Sequence, residues 1–299
     1  MDDGRKGGQT DMNATVEIRS LKATTRARII AGKVFVYLVM ACMVVVCLFP
    51  IVWIILSSFK TNAEVFKGAF FPGQVNLDAY KYALNMAPIM RFFVNSVFIS
   101  VTAMLINVTA VSMGAYAFSR GVFKGKETLF TIIMAAMVLP STAVIQPVYM
   151  QLRTLGMLDT KAGLILVYCC FGMPVGLMLL RTFFSSIPLE TEESAAIDGA
   201  SFVMTFVRIS VPMAKPGIAT VMVLRFLEYW NEFTYALVLT TSVNNRTMPL
   251  SLAYFVSSFS FNYPAMFAAI TLSVLPALVI FALFSRQVVN SMVAGAVKG

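Results

Sequence analysis

The chain has 299 residues, 59% of them hydrophobic and only 12% charged, with a formal net charge of +9. So few polar side chains cannot cover a water-soluble globule of this size, and whole stretches of roughly 20 residues carry almost no charge, which is the pattern of a membrane protein. Histidine is absent, which removes the usual general base, most catalytic triads and the commonest transition-metal ligand, so neither catalytic residues nor a metal site are expected.

In chain order, residues 1–33 are polar and charge-bearing and read as an N-terminal tail, mobile up to about residue 25. The first apolar run is long enough to span and lacks a small-residue cleavage site after it, so it is expected to remain as a helix over 34–59 rather than to be removed as a signal peptide. Five further spans follow: Phe92 to Phe118, Leu129 to Tyr149, Ala162 to Phe184, Ile218 to Thr240 and Pro264 to Ser285. The first span and the five-helix core over 92–285 give an all-α, polytopic six-helix fold, with a tail over 286–299. Pro50, Gly114, Pro140, Gly172, Pro174 and Pro276 predict kinks and close helix contacts within the spans. Cys42, Cys47, Cys169 and Cys170 all fall in apolar stretches and read as small buried hydrophobes.

Six spans put both termini on one side. Arginines and lysines crowd the N-terminal segment, the loop with Arg120, Lys124 and Lys126, the segment with Arg181, Arg208 and Lys215, and the C-terminal end, so that side is read as cytoplasmic. Spread among loops in this way, the positive charge reports topology rather than nucleic-acid binding. Loops on the other side are expected over Lys60 to Arg91, Met150 to Lys161 and Thr241 to Tyr263.

The largest cytoplasmic excursion, 186–212, carries the most specific pattern. Glu190, Glu192 and Glu193 follow Pro188 in a first helical turn, where acidic groups suit the positive helix end. Ala195 and Ala196 extend that helix, Asp198-Gly199-Ala200 can stop it in a left-handed turn, and Ser201 can cap a second short helix ended by Pro212.

This segment resembles the cytoplasmic loop of ATP-binding-cassette importer permeases, which reads E-A-A, three residues, G, nine residues, I, one residue, L-P. The matching positions are Glu193, Ser194, Ala195, Gly199, Ile209, Val211 and Pro212, with serine for alanine and valine for leucine as departures. The resemblance narrows to the carbohydrate-importing, maltose-importer branch through Ser58-Phe-Lys-Thr-Asn-Ala-Glu64, Asn95-Ser-Val, Ala115-Tyr-Ala-Phe-Ser-Arg120, Leu155-Gly-Met with Asp159-Thr160, Trp230-Asn-Glu-Phe233 and Gly295-Ala-Val-Lys-Gly299. It implies a type I importer permease in the bacterial cytoplasmic membrane, not itself an enzyme. The implied partners are a second homologous permease, a dimer of ATPase subunits that bind ATP and Mg, and an extracytoplasmic sugar-binding protein. A phosphate loop of this chain's own is not found, since Gly125-Lys126 is followed by Glu127 and lacks the upstream glycine. On this resemblance 186–212 is the coupling helix, with Glu192, Glu193, Ser194, Ala195, Asp198, Gly199, Ala200, Ile209 and Pro212 in contact with the ATPase.

In the fifth span Arg225, Glu228 and Glu232 are ionisable groups at spacings of three and four, which place them on one helix face. Together with Trp230 and Asn231, that face either borders the translocation path or forms an interhelical salt-bridge network. The loop with Asn244, Asn245, Thr247 and Pro249 matches the place where such permeases reach into the binding protein, beside its plain reading as a connection. The same machinery for a non-sugar solute, and a proton- or sodium-driven transporter titrating Glu228 and Glu232, stand as alternatives.

Overall fold

The computed structural model describes the backbone of residues 4–255 and 262–296 and, within these, the side chains of 30–255 and 262–283. The expected terminal tails, 1–33 and 286–299, therefore lie almost wholly outside the residues whose side chains are described. So does the C-terminal Gly295–Gly299 piece.

The chain divides into two units, one ending at Leu56 and one beginning at Ser57. The first is helix α1, Gly4–Ser57, whose Ile30–Ser57 stretch of 28 residues is apolar enough to cross a membrane. At 1.5 Å per residue it measures about 42 Å, more than a hydrocarbon layer of about 30 Å requires.

Every regular element among the described residues of the second unit is a helix. The expected loop over 60–91 contains α2, Asn62–Phe66, and α3, Asp78–Met86. Thr61 and Glu64 start α2 as a reciprocal capping box, and Glu64 also accepts from the Gly73 backbone N–H at 2.9 Å. Helix α4, Ile89–Arg120, is followed by α5, Lys126–Ala135, by α6, Ile145–Thr154, and by α7, Lys161–Ser185. The segment expected as the cytoplasmic excursion holds α8, Leu189–Ile197, α9, Phe202–Thr205, a π turn over Phe206–Ser210 and α10, Val211–Met213. Helix α11, Lys215–Asn231, α12, Thr234–Leu239, and α13, Tyr263–Ala296, complete the chain.

Four of these helices are long and apolar enough to cross a membrane, and a fifth is reached when 202–213 and 215–231, bent by 77°, are taken as one. The third and fifth expected spans are each built from two helices. The third breaks at Leu139–Pro140, because proline lacks an N–H and forces the residue before it out of helical geometry; Leu139 has ψ 120. The fifth breaks at Glu232, whose ψ of 125 ends α11.

Helices α4, α7 and α11 pack through small residues. A Cβ on Gly176 would lie 3.2 Å from Val111, one on Gly114 3.1 Å from Leu177, and one on Gly217 2.3 Å from the Phe183 ring. Such close approach supplies the van der Waals contact that holds helices together where lipid removes the usual hydrophobic gain. Around it Phe92, Ile99, Ala103, Leu164, Leu180, Phe184 and Val221 are fully buried. Of the four cysteines only Cys169 is buried, and Cys42, Cys47 and Cys170 are exposed, correcting the expectation that all four are core residues.

Candidate functional site

Helix α8 and the turn after it are defined by backbone geometry. Gly199 has φ +84, its N–H donates to Ala196 O at 3.0 Å, and the Ala200 N–H donates to Ala195 O at 2.9 Å. Those two bonds satisfy carbonyls the helix end would leave open, with a left-handed residue that glycine adopts at least cost. Ser201 then caps α9, its Oγ accepting from the Met204 N–H at 3.3 Å. Pro212 does not end the second helix, as expected from sequence, but sits at the start of α10, where its missing N–H is not required. The helical run ends at Ala214 and turns sharply into α11.

The two adjacent glutamates have different roles. Glu193 is exposed, as are Ser194, Asp198 and Gly199. Glu192 is only 7% exposed and faces the bundle, so it is not available to a partner surface, and Ala195 is buried with it. The Glu192 carboxylate receives the Arg120 Nε–H at 2.9 Å and the Ser210 hydroxyl at 2.9 Å, while Arg120 Nη2 donates to Ile187 O at 2.6 Å. Tyr116 packs its ring against Phe184, Phe202 and Phe206 at centroid distances of 4.8 to 5.6 Å. The C-terminal end of α4, Ala115–Arg120, is thus the seat on which the excursion is mounted. Outward it presents Leu189, Ile197, Phe202, Val203 and Val207, each more than half exposed, next to Glu193 and Asp198. Ile209 is half-buried and Pro212 is exposed.

In α11 the predicted one-face array divides. Arg225 and Glu228 form an ion pair at 2.6 Å, with side chains 6% and 48% exposed. Glu232 lies past the helix end, not on its face. Its carboxylate accepts from the Tyr235 and Ala236 N–H groups at 2.7 and 3.0 Å and from the Tyr168 hydroxyl at 2.8 Å, so it caps α12 and ties it to α7. Trp230 is buried to 1% and donates Nε1–H to Ser273 O at 3.0 Å on α13, which corrects its expected place on an open path. Asn231 is exposed and donates to Leu227 O within its own helix. A groove of about 730 Å³ runs beside Glu228, lined by Pro140, Ser141, Gln151, Cys170 and Phe171 among others.

At the other end of α4 the segment after α12 is fastened from two sides. Asn95 Nδ2 donates to Asn244 O and Arg246 O at 2.8 and 2.9 Å, Arg91 donates to the Asn244 side chain, and the Met248 N–H donates to Ser96 Oγ at 2.7 Å. Asp159, left-handed at φ 51, accepts on Oδ1 from the Thr241 and Ser242 N–H groups at 3.0 Å, and Asn245 Nδ2 donates to its carbonyl. Burial pushes the Asp159 carboxyl up, but the bonds from Ser242, Thr241 and Asn245 outweigh that and hold it below the usual carboxylate range. Of the residues expected to reach a binding protein, Thr247 is buried, Asn245 is engaged internally and Pro249 is half-buried; Asn244 remains exposed. Residues 256–261 of that loop lie outside the described residues.

Sequence reasoning missed the seat itself. Arg120 counts in the sequence only as a topogenic charge and as the end of a resembling piece, and Tyr116, Asn95 and Ser96 only as parts of such pieces. Their order along the chain was the available signal; their partners lie more than 60 residues away.

Residues 107–293 match the family model described as binding-protein-dependent transport system inner membrane component. A diacetylchitobiose uptake system permease protein of Streptomyces coelicolor is 33% identical over 254 residues, 84% of either chain. A sulfoquinovosyl glycerol transport system permease protein of Agrobacterium fabrum is 30% identical over 271 residues, 90% of this chain and 95% of its own. A chain in the crystal structure of a bacterial ABC transporter involved in the import of the acidic polysaccharide alginate superposes with a TM-score of 0.76 at 23% identity, covering 84% of this chain and 94% of that one, so the two share a fold.

Proposed function

The chain belongs to the inner membrane components of binding-protein-dependent transport systems, and from that premise we propose that it is one of two permease halves of an ATP-binding-cassette importer for a di- or oligosaccharide. ATP and Mg bind to partner ATPase subunits, a homologous permease completes the path, and an extracytoplasmic binding protein delivers the sugar. The names of the relatives, both glycoside transporters, support the substrate class.

The observation that carries the coupling role is the mounting of 186–212. A lever must be rigid towards its own bundle and sticky towards its partner. Glu192 locked to Arg120 and Ser210 supplies the first, and exposed Ile197, Phe202 and Val203 beside Glu193 and Asp198 supply the second. On this reading both termini are cytoplasmic, because the excursion and the basic loops share one side. The translocation path runs along the groove beside Glu228, with Arg225 holding that carboxylate in place and Asn231 nearby; Trp230 and Glu232 support it from within. Asn244 is the residue of its loop offered to the binding protein.

The test is saccharide uptake in cells carrying Gly199→Val, with membrane insertion checked. Nothing lies within 4 Å of a Cβ at that position, so the substitution acts through the left-handed backbone alone, which a β-branched residue resists. Uptake is expected to collapse together with co-purification of the ATPase. Uptake that persists and follows the proton gradient instead would remove the importer reading.

A further inference from the structure

The groove beside α11 carries its charge on one wall. Its floor and walls come from the Pro140 break, from α6, α7 and α11, and they are largely apolar, with Ser141 and Gln151 as uncharged hydrogen-bonding groups and Phe171 as an aromatic face. Glu228 is the one carboxylate among its lining residues, and lysine and arginine do not line it. The cation that balances Glu228 lies behind it: the Arg225 side chain is 6% exposed against 48% for Glu228, and its Nη1 is 3.4 Å from Gly172 O. A solute in the groove therefore meets the carboxylate before the guanidinium.

On the reading that this groove borders the path, we infer that Glu228 sets its charge selectivity: neutral or amine-bearing saccharides are admitted and carboxylated, sulfonated or phosphorylated ones are disfavoured. With Arg225 behind it, Glu228 presents the negative end of an ion-pair dipole to the groove, and among low-dielectric walls that nearer carboxylate biases the local concentration of ions of either sign, here by a factor of about three to ten. The relatives include a transporter named for a neutral disaccharide and one named for a sulfonated glycoside. This chain's groove suits the first chemistry. Hydroxyls of a neutral sugar can donate to Glu228 and exchange bonds with Gln151 and Ser141, and its apolar ring face fits Phe171.

Cys170 lines the groove and is exposed, whereas Cys169 is buried, so the protein carries its own probe. In the complete transporter with Cys42→Ser and Cys47→Ser, Cys170 is labelled with a cationic and an anionic methanethiosulfonate of similar size, and the ratio of the two rates is measured. That ratio is expected to fall about three- to tenfold in Glu228→Gln. Because that variant strands a buried arginine, Arg225→Gln with Glu228→Gln is measured beside it, each after the solubilised complex is shown to be monodisperse. A ratio unchanged in the double variant, even where Glu228→Gln alone shifts it by uncovering Arg225, or a Cys170 unreactive towards both reagents, overturns the inference. Saccharide uptake is scored separately, in the Cys42→Ser/Cys47→Ser parent that keeps Arg225 and Glu228: normal uptake there with an unchanged ratio in the double variant sinks the charge selectivity alone, and a parent that moves no saccharide sinks the importer reading.

Discussion

Replacing Glu192 by alanine removes both acceptor oxygens of a buried clamp, the one that receives Arg120 at 2.9 Å and the one that receives Ser210 at 2.9 Å. The side chains of Arg120 and Glu192 are 14% and 7% exposed, so the stranded guanidinium keeps one bond, to Ile187 O, and little water. Breaking a buried pair by removing one partner destabilises by about 3–5 kcal/mol. Here the loss falls on the mounting of 186–212 rather than on the whole bundle, and about 3 kcal/mol raises the detached fraction by roughly 150-fold. Hydrogen exchange on the assembled transporter reads this directly at the amides of Asp198, Gly199 and Ala200, which donate within the turn at 3.1, 3.0 and 2.9 Å. Protection there is expected to fall by about two orders of magnitude, and ATP hydrolysis is expected to become insensitive to the loaded binding protein. Glu193→Ala is the control: its side chain is exposed, so exchange should change by less than about threefold. If the two alanine variants exchange alike, the clamp does not hold the lever.

Gly172→Ala would place a Cβ 2.0 Å from the buried Tyr229 hydroxyl, so the solubilised complex is expected to lose about 1–3 kcal/mol, seen as a lower melting temperature, with Gly172→Ala/Tyr229→Phe recovering part of it. Trp230→Phe deletes the bond to Ser273 O and is expected to lower thermal stability by about 1–3 kcal/mol while leaving the order of preference among saccharides unchanged; an altered order in competition assays would return Trp230 to the path. The Asp159 carboxyl is held below its ordinary value, so its contribution is complete above about pH 4 and is lost only as pH falls through the lower folded value. Proteolysis of the loop after α12 should therefore be flat from pH 8 to about pH 4 and rise below that, whereas Asp159→Asn should be cleaved faster throughout.

How much of this was legible in the residues depends on the range of the forces involved. The apolar runs located α4, α7 and the membrane-length stretch Tyr263–Leu283 of α13 within a few residues, because membrane thickness fixes helix length and lipid tolerates no polar interruption. The stop at Gly199 and the cap at Ser201 were readable as well, since each is made by bonds across three to five residues. By itself, then, the sequence determined the helical class, the family and the turn that ends α8. Only the tertiary structure decided that Glu192 turns inward while Glu193 turns out, that Glu232 caps α12, that Trp230 is buried against α13, and that Glu228 overlooks a groove. Apart from the cap itself, which spans three and four residues, these depend on segments 40 to more than 70 residues apart meeting at a particular rotation about their axes, as does the bond that ties Glu232 to Tyr168. A helical period assigns a residue to a face, but which neighbour that face meets is set by the packing of α4, α7 and α11 through Gly114, Gly176 and Gly217.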